Sequence, residues 1–191
     1  KKFINSIIKK CKISNTDNVF EIGCGSGAFL LPFYKRNVNC FGTDYSSQFI
    51  KNCKKLMRKG IFIKSEANNL RKFKKYKFNY IFIHSVFQYF DNIKYASQVM
   101  NQLKEITQKE TKIFILDVPN LKKKKVWKKD MIISIGKIEF DKKYSNFKHL
   151  FYPMSFFKKF CNKNDFSLTN ISKFSLKKKS SKYRFNLMIK N

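Results

Sequence analysis

Residues 19–28, Val-Phe-Glu-Ile-Gly-Cys-Gly-Ser-Gly-Ala, combine residue types that ordinary lysine-rich chain does not need. An apolar run ends at the carboxylate of Glu21, and glycines follow at alternate positions, Gly23, Gly25 and Gly27. Glycine permits a tight turn, leaves room for a ligand against the main chain and lets a following helix pack closely. Gly23, Gly25 and Ala28 also satisfy the G-x-G-x-x-G/A pattern of dinucleotide sites. A pyrophosphate, however, asks for free N–H groups and positive potential at a helix start. Glu21, placed just before the glycines, suits an ammonium or a sulfonium better. Asp44 ends the next apolar run, about twenty residues on, where an acid accepts hydrogen bonds from ribose hydroxyls. NAD and adenosyl ligands share that requirement, so these residues indicate a nucleoside without choosing between the two.

Such residues must be held by strand ends and helix starts. Phe3, Ile4, Ile7, Ile8 and Cys11 have helical spacing, and residues 18–22 read as a short buried strand. The pattern predicts a helix over 27–36 and a second strand over 38–44. Ser46 then caps a helix with Phe49, Ile50, Cys53, Leu56 and Met57 on one face, stopped by Gly60. Further strands are predicted at 61–65, 78–85 and 112–118, with Asp91 capping a helix that carries Ile93, Ala96, Val99, Met100, Leu103 and Ile106. Strand–helix alternation implies right-handed crossovers and a parallel sheet with helices on both faces. Residues 119–150 read as irregular and basic. A helix over 153–163 and two strands, 166–175 and 183–190, complete the chain, the strands joined by Lys-Lys-Lys-Ser-Ser-Lys as an antiparallel return.

Composition sets outer limits. The chain has 191 residues, 43% of them hydrophobic, which suits one packed domain over 1–191 and excludes disorder. No apolar run approaches the ~20 residues of a membrane span. The five cysteines are scattered without a C-x-x-C pair, so neither a disulfide framework nor a metal site is expected, and a cytoplasmic setting is. The net charge of +30 invites a nucleic-acid reading. Lys, Asn, Ile and Phe are inflated together in every segment, however, so compositional drift accounts for the charge more simply.

In order and spacing, residues 19–31, 41–46, 64–70 and 78–90 resemble motifs I to IV of class I S-adenosylmethionine-dependent methyltransferases. The resemblance covers roughly residues 15–120 and implies a Rossmann-like α/β fold: a mostly parallel seven-stranded sheet closed by a C-terminal antiparallel pair. It implies S-adenosyl-L-methionine as cofactor. Gly23, Cys24, Gly25 and Gly27 would line its methionine and ribose portion, with Glu21 beside them, and Asp44 would hold the ribose with Tyr45 against the adenine. Glu66 and Ala67 match the place where an acid and a backbone N–H meet adenine; His84 and Ser85 match the exit of the fourth strand beside the methionine. The family more often has Asp at the position of Glu66, and a glycine pair where this chain has Lys-Glu-Thr-Lys.

Methyl transfer from a sulfonium is an in-line displacement, so the protein aligns the acceptor and removes its proton. His84 and His149 are the only histidines and the candidate bases, and Tyr89 and Tyr152 are candidates for the acceptor pocket. The fourth strand lacks the Asn/Asp-Pro-Pro-aromatic run of enzymes that methylate nucleobase amino groups, and there is no Pro-Cys pair for cytosine C5 chemistry. No convincing carboxylate set suggests a magnesium-dependent catechol-type site. A small-molecule O- or N-methyltransferase remains, with 119–152 as an acceptor-side cover. Residues 149–157 and 181–191 are similar to small bacterial methyltransferases of surface-glycan or secondary metabolism. The alternative is an RNA-binding or RNA-methylating protein, using the basic surface and Trp127 as a base-stacking platform.

Overall fold

The computed structural model describes residues 2–145, 149–171 and 179–191. Seven strands form one sheet: β1 (Asn18–Ile22), β2 (Asn39–Asp44), β3 (Ile61–Lys64), β4 (Tyr80–His84), β5 (Lys112–Pro119), β6 (Ser167–Asn170) and β7 (Arg184–Lys190). Their order is β3-β2-β1-β4-β5-β7-β6. Strands β1 to β5 run parallel, while β7 is antiparallel to both β5 and β6. The order reverses between β1 and β4, so a crevice opens beyond their carboxyl ends.

Both faces of the sheet are covered. On one, α1 (Lys2–Cys11), α2 (Leu31–Tyr34) and α3 (Ser47–Leu56) bring Ile7, Phe33, Ile50 and Cys53 against Val19, Phe82 and Phe114. On the other, α4 (Ile93–Ile106) and α7 (Met154–Lys163) pack Val99, Leu103 and Phe157 on Phe20, Ile81, Ile113 and Leu187. This two-sided burial is why β1, β4 and β5 are almost continuously apolar.

Several local expectations need correction. The helix foreseen over 27–36 is reduced to α2, because turns occupy the preceding residues and Pro32 stands at the helix start, where its missing N–H is harmless. Helix α4 is capped by Asn92, whose side chain accepts from Tyr95 N at 2.8 Å, rather than by Asp91. Ser46 does cap α3, but Phe49 and Leu56 face solvent while Ile50 and Cys53 are buried. Residues 119–150 are not irregular: they contain α5 (Lys124–Ile135) and α6 (Lys137–Tyr144), joined at Gly136 with φ 80°. Neither shows a one-sided apolar stripe, since α5 buries no residue fully and α6 only Phe140. The sixth strand is shorter than predicted; its foreseen continuation over 172–175 and the lysine-rich connection as far as 178 lie outside the described residues.

Candidate active site

A cleft of about 800 Å³ lies over the carboxyl ends of β1 to β4, within the usual range for a small-ligand site. Its floor is the turn after β1. Gly23 N and Cys24 N both donate to Thr43 O, at 2.8 and 2.9 Å, which ties this turn to β2. Gly25 and Asp44 then meet directly: Asp44 Oδ2 accepts from Gly25 N and Oδ1 from Ser46 N, each at 2.9 Å. One carboxylate thereby fixes both the glycine turn and the start of α3, although Asp44 is only 7% exposed.

The three glycines of the turn differ in what a side chain would meet. A Cβ on Gly23 would come within 2.5 Å of the Val86 side chain, and one on Gly27 within 2.5 Å of Met57 Cε. These positions are small so that the turn can pack against neighbours. Gly25, with φ 51°, has nothing within 4 Å of such a Cβ and lines the cleft. Its open side is the cradle into which a ligand can press against main chain.

Beyond β2 and β3 the wall consists of Asp44, Tyr45, Phe49, Ser65, Glu66 and Ala67. Tyr95 Oη donates to Glu66 Oε2 at 3.2 Å, and burial together with that acid raises the tyrosine pKa to about 12. Beyond β4 stand Ser85, Val86, Gln88 and Tyr89. Ser85 (φ 59°) and Asp117 (φ 64°) are both left-handed, a conformation that is costly outside glycine and concentrates at functional sites. The Ser85 hydroxyl donates to Asp117 Oδ2, and Arg184 Nη1 donates to the same carboxylate oxygen at 3.2 Å and to Asp117 O at 2.8 Å. Gln88 Nε2 donates to Ser85 O at 2.8 Å, and its buried Oε1 has no partner among the described residues.

His149 closes the far end. Its ring meets Tyr89 edge-on at 5.6 Å and Tyr144 at 5.7 Å, with Trp127 behind it at 6.4 Å. Burial, then the positive charges of Arg184 and Lys143, hold its pKa below the ordinary 6.5, so the imidazole is neutral at pH 7.

Gly23, Gly25, Asp44, Tyr45, Glu66, Ala67, Ser85, Tyr89 and His149 thus share one cleft. Other candidates do not reach it. His84 shares the β4 face of Tyr80 and Phe82, by strand alternation, and its ring lies 5.1 Å from Phe29 and 6.0 Å from Phe3 on the α1–α2 side. Tyr152, foreseen at the acceptor pocket, is fully buried, and its hydroxyl donates to Phe87 O at 2.8 Å. Cys24 and Gly27 support the turn from behind, the Cys24 thiol lying 4.0 Å from that of Cys53. Glu21 also sits behind the turn, 2% exposed, with Oε2 unpaired among the described residues. Burial, followed by the nearby Cys53 and Asp44, pushes its carboxyl well above the usual range. Sequence reasoning did not single out Thr43, Gln88, Tyr95 or Asp117. Gln88, a lone amide among the aromatics of Phe87–Phe90, was the most visible of these.

A sheet that reverses at β1 and β4, a glycine turn opening on the cleft and an acid at the end of β2 together define a class I methyltransferase fold around a nucleoside cofactor. Residues 20–115 match the methyltransferase domain family; the chain belongs to that family and is an S-adenosylmethionine-dependent enzyme. Solved structures agree in fold. Magnesium protoporphyrin IX methyltransferase from Synechocystis, with bound S-adenosylhomocysteine, superposes with a TM-score of 0.71 at 14% identity, over 98% of this chain and 81% of that one. An S-adenosylmethionine-dependent methyltransferase from Clostridium acetobutylicum gives 0.71 at 12%, over 99% and 90%. A TehB-like one from Corynebacterium glutamicum gives 0.69 at 11%, over 99% and 87%. The sequence has no significant match among curated proteins.

Proposed function

We propose that this methyltransferase acts on oxygen or nitrogen of a small-molecule acceptor that approaches His149 from the β5 side, beneath residues 119–152. The observation carrying this reading is the continuity of the cleft from Asp44 and Glu66, past Gly25, to Tyr89 and His149. The same residues fit the cofactor. Gly25 offers an open main-chain cradle, Asp44 an acid for the ribose and Tyr45 a ring for the adenine. S-adenosylmethionine supplies an electrophilic methyl group on a sulfonium when bound. Asp44 holds the ribose hydroxyls, while Glu66 and Ala67 flank the base. Ser85, clamped by Asp117 and Arg184, shapes the boundary between cofactor and acceptor. His149 is neutral and accepts the proton that the acceptor atom gives up. His84, turned away from the cleft, has no direct part in that transfer.

The RNA alternative loses its main support. Trp127 is half-buried and packed against Phe151 at 5.2 Å, Tyr144 at 5.2 Å and Phe140 at 5.8 Å, so packing with its neighbours accounts for its ring without a base. The test is incubation of metabolite extracts with isotopically labelled S-adenosylmethionine, followed by mass spectrometry. Label in a low-molecular-weight product supports the reading; label in RNA alone overturns it.

A further inference from the structure

We propose that the elbow between α5 and α6 is a docking surface for an anionic lipid bilayer, which it grips by inserting Ile133 and Ile138. Single aliphatic side chains in water are ordinary, but several exposed within one short segment mark a contact surface. Ile133 is 73% exposed and Ile138 is 85% exposed, on either side of Gly136, where the chain turns from one helix into the next. Val126, half exposed, lies on the same stripe of α5 as Ile133, seven residues apart. Trp127, on another side of α5, packs on Phe151, and Asp130, between Val126 and Ile133 on their stripe, is tied to Tyr183 and Lys182. Beyond that tie the stripe ends in Ile133, and with Ile138 it leaves two apolar tips at the elbow in solvent.

Charge selects the occupant. Residues 121–144 carry nine lysines against three acids, and one of those acids, Asp130, is neutralised by Lys182. Apolar tips framed by lysines match the boundary between anionic headgroups and acyl chains, where aliphatic groups enter and ammonium groups stay at the surface. A protein partner would need acidic groups around an apolar pocket. RNA would use the lysines but leave both isoleucines exposed. No helix among the described residues is long and apolar enough to cross a membrane, so attachment would be peripheral. Because Trp127 and Tyr144 connect these helices to His149, docking would set the acceptor end of the cleft beside the lipid surface.

The test uses the full chain and sedimented vesicles, independently of the cofactor or of any acceptor. Wild type should bind vesicles of mixed phosphatidylcholine and phosphatidylglycerol and ignore phosphatidylcholine alone. Ile133→Ser with Ile138→Ser should weaken that binding by about tenfold or more, since two buried aliphatic side chains are lost. Because the charge is unchanged, retention on heparin should stay the same. S-adenosylhomocysteine affinity should also stay the same, so a failed docking proposal leaves the methyltransferase reading intact. Equal vesicle binding by the double variant would overturn the proposal, because charge alone would then suffice. Release of wild type from the vesicles by short single-stranded RNA at equal phosphate concentration would likewise overturn it. Complete loss of wild-type binding at physiological salt, where headgroup attraction is screened but insertion persists, would do the same.

Discussion

Asp44→Asn removes a charge while keeping the shape, and the structure makes its outcome calculable. Each Asp44 oxygen accepts one backbone N–H at 2.9 Å, from Gly25 and from Ser46. Asparagine has one oxygen, so whichever way the amide is placed its NH2 faces one of those N–H donors. One charge-assisted bond is lost and a donor–donor contact replaces it, a destabilisation of about 1.5–3 kcal/mol. At ~2–4 °C per kcal/mol for a chain of this length, the melting temperature should fall by about 3–12 °C with the transition still cooperative. Binding suffers separately, because the ribose hydroxyls lose an ionised acceptor. A further 1.5–3 kcal/mol there weakens S-adenosylhomocysteine about 10- to 150-fold. Calorimetry on the folded variant measures this directly. A cooperative melt together with wild-type affinity would refute the ribose assignment, since the glycine turn alone would then be holding the ligand.

Gly25→Val should abolish S-adenosylhomocysteine binding, measured by calorimetry, because the new side chain fills open cleft and a branched residue strains the turn at φ 51°; the circular dichroism of the sheet should persist, since no neighbouring atom is displaced. Glu21→Gln should stabilise the ligand-free protein at neutral pH. The folded pKa of Glu21 is raised, so its favourable contribution is complete below the unfolded value near 4.5 and is lost as pH rises through the folded one. Melting curves of wild type should therefore fall with rising pH more steeply than those of the variant. Trp127→Ala should cost about 3–4 kcal/mol at most in thermal stability, given its half-buried ring, and lower methyl transfer well beyond any loss of S-adenosylhomocysteine affinity. His149→Gln should remove an acid limb in the rate profile that titrates below 6.5 in the wild type, as follows from the lowered pKa.

The parallel half of the fold was legible because strands buried on both faces must be continuously apolar, as in residues 80–83 and 113–116. Asp44 and Gly25 were legible for a related reason: strand ends and glycine turns fix position without help from distant chain. Helices α5 and α6 were hidden because their apolar residues point several ways, Trp127 inward and Ile133 outward, which destroys the period that sequence reading relies on. The histidines show a different limit. Strand parity decided that His84 faces Phe29, and the sequence contains that parity, but not which face of the strand would meet α1. Asp117 depends on a bulge between Ile115 and Val118 and on Arg184, far along the chain, so nothing local marked it.

The two ends of the α5–α6 segment meet in a single place. Asn120 bridges Tyr152, Leu121 N donates to Tyr152 O, and Tyr152 N donates to Pro119 O, the last two at 2.9 Å. The described residues between 122 and 150 therefore belong to an excursion whose ends meet at one hydrogen-bonded gate, with further ties from Asp130 to Lys182 and Tyr183 and from Leu150 N to Gln88 O. Closing a longer excursion costs little more than closing a short one, since the entropy grows only with the logarithm of length. Under the proposal that this excursion roofs the acceptor, the roof can thus lengthen, shorten or be exchanged while β5 and α7 keep their register. In such an architecture the choice of acceptor can drift from one descendant to another without disturbing the machinery that holds the methyl donor.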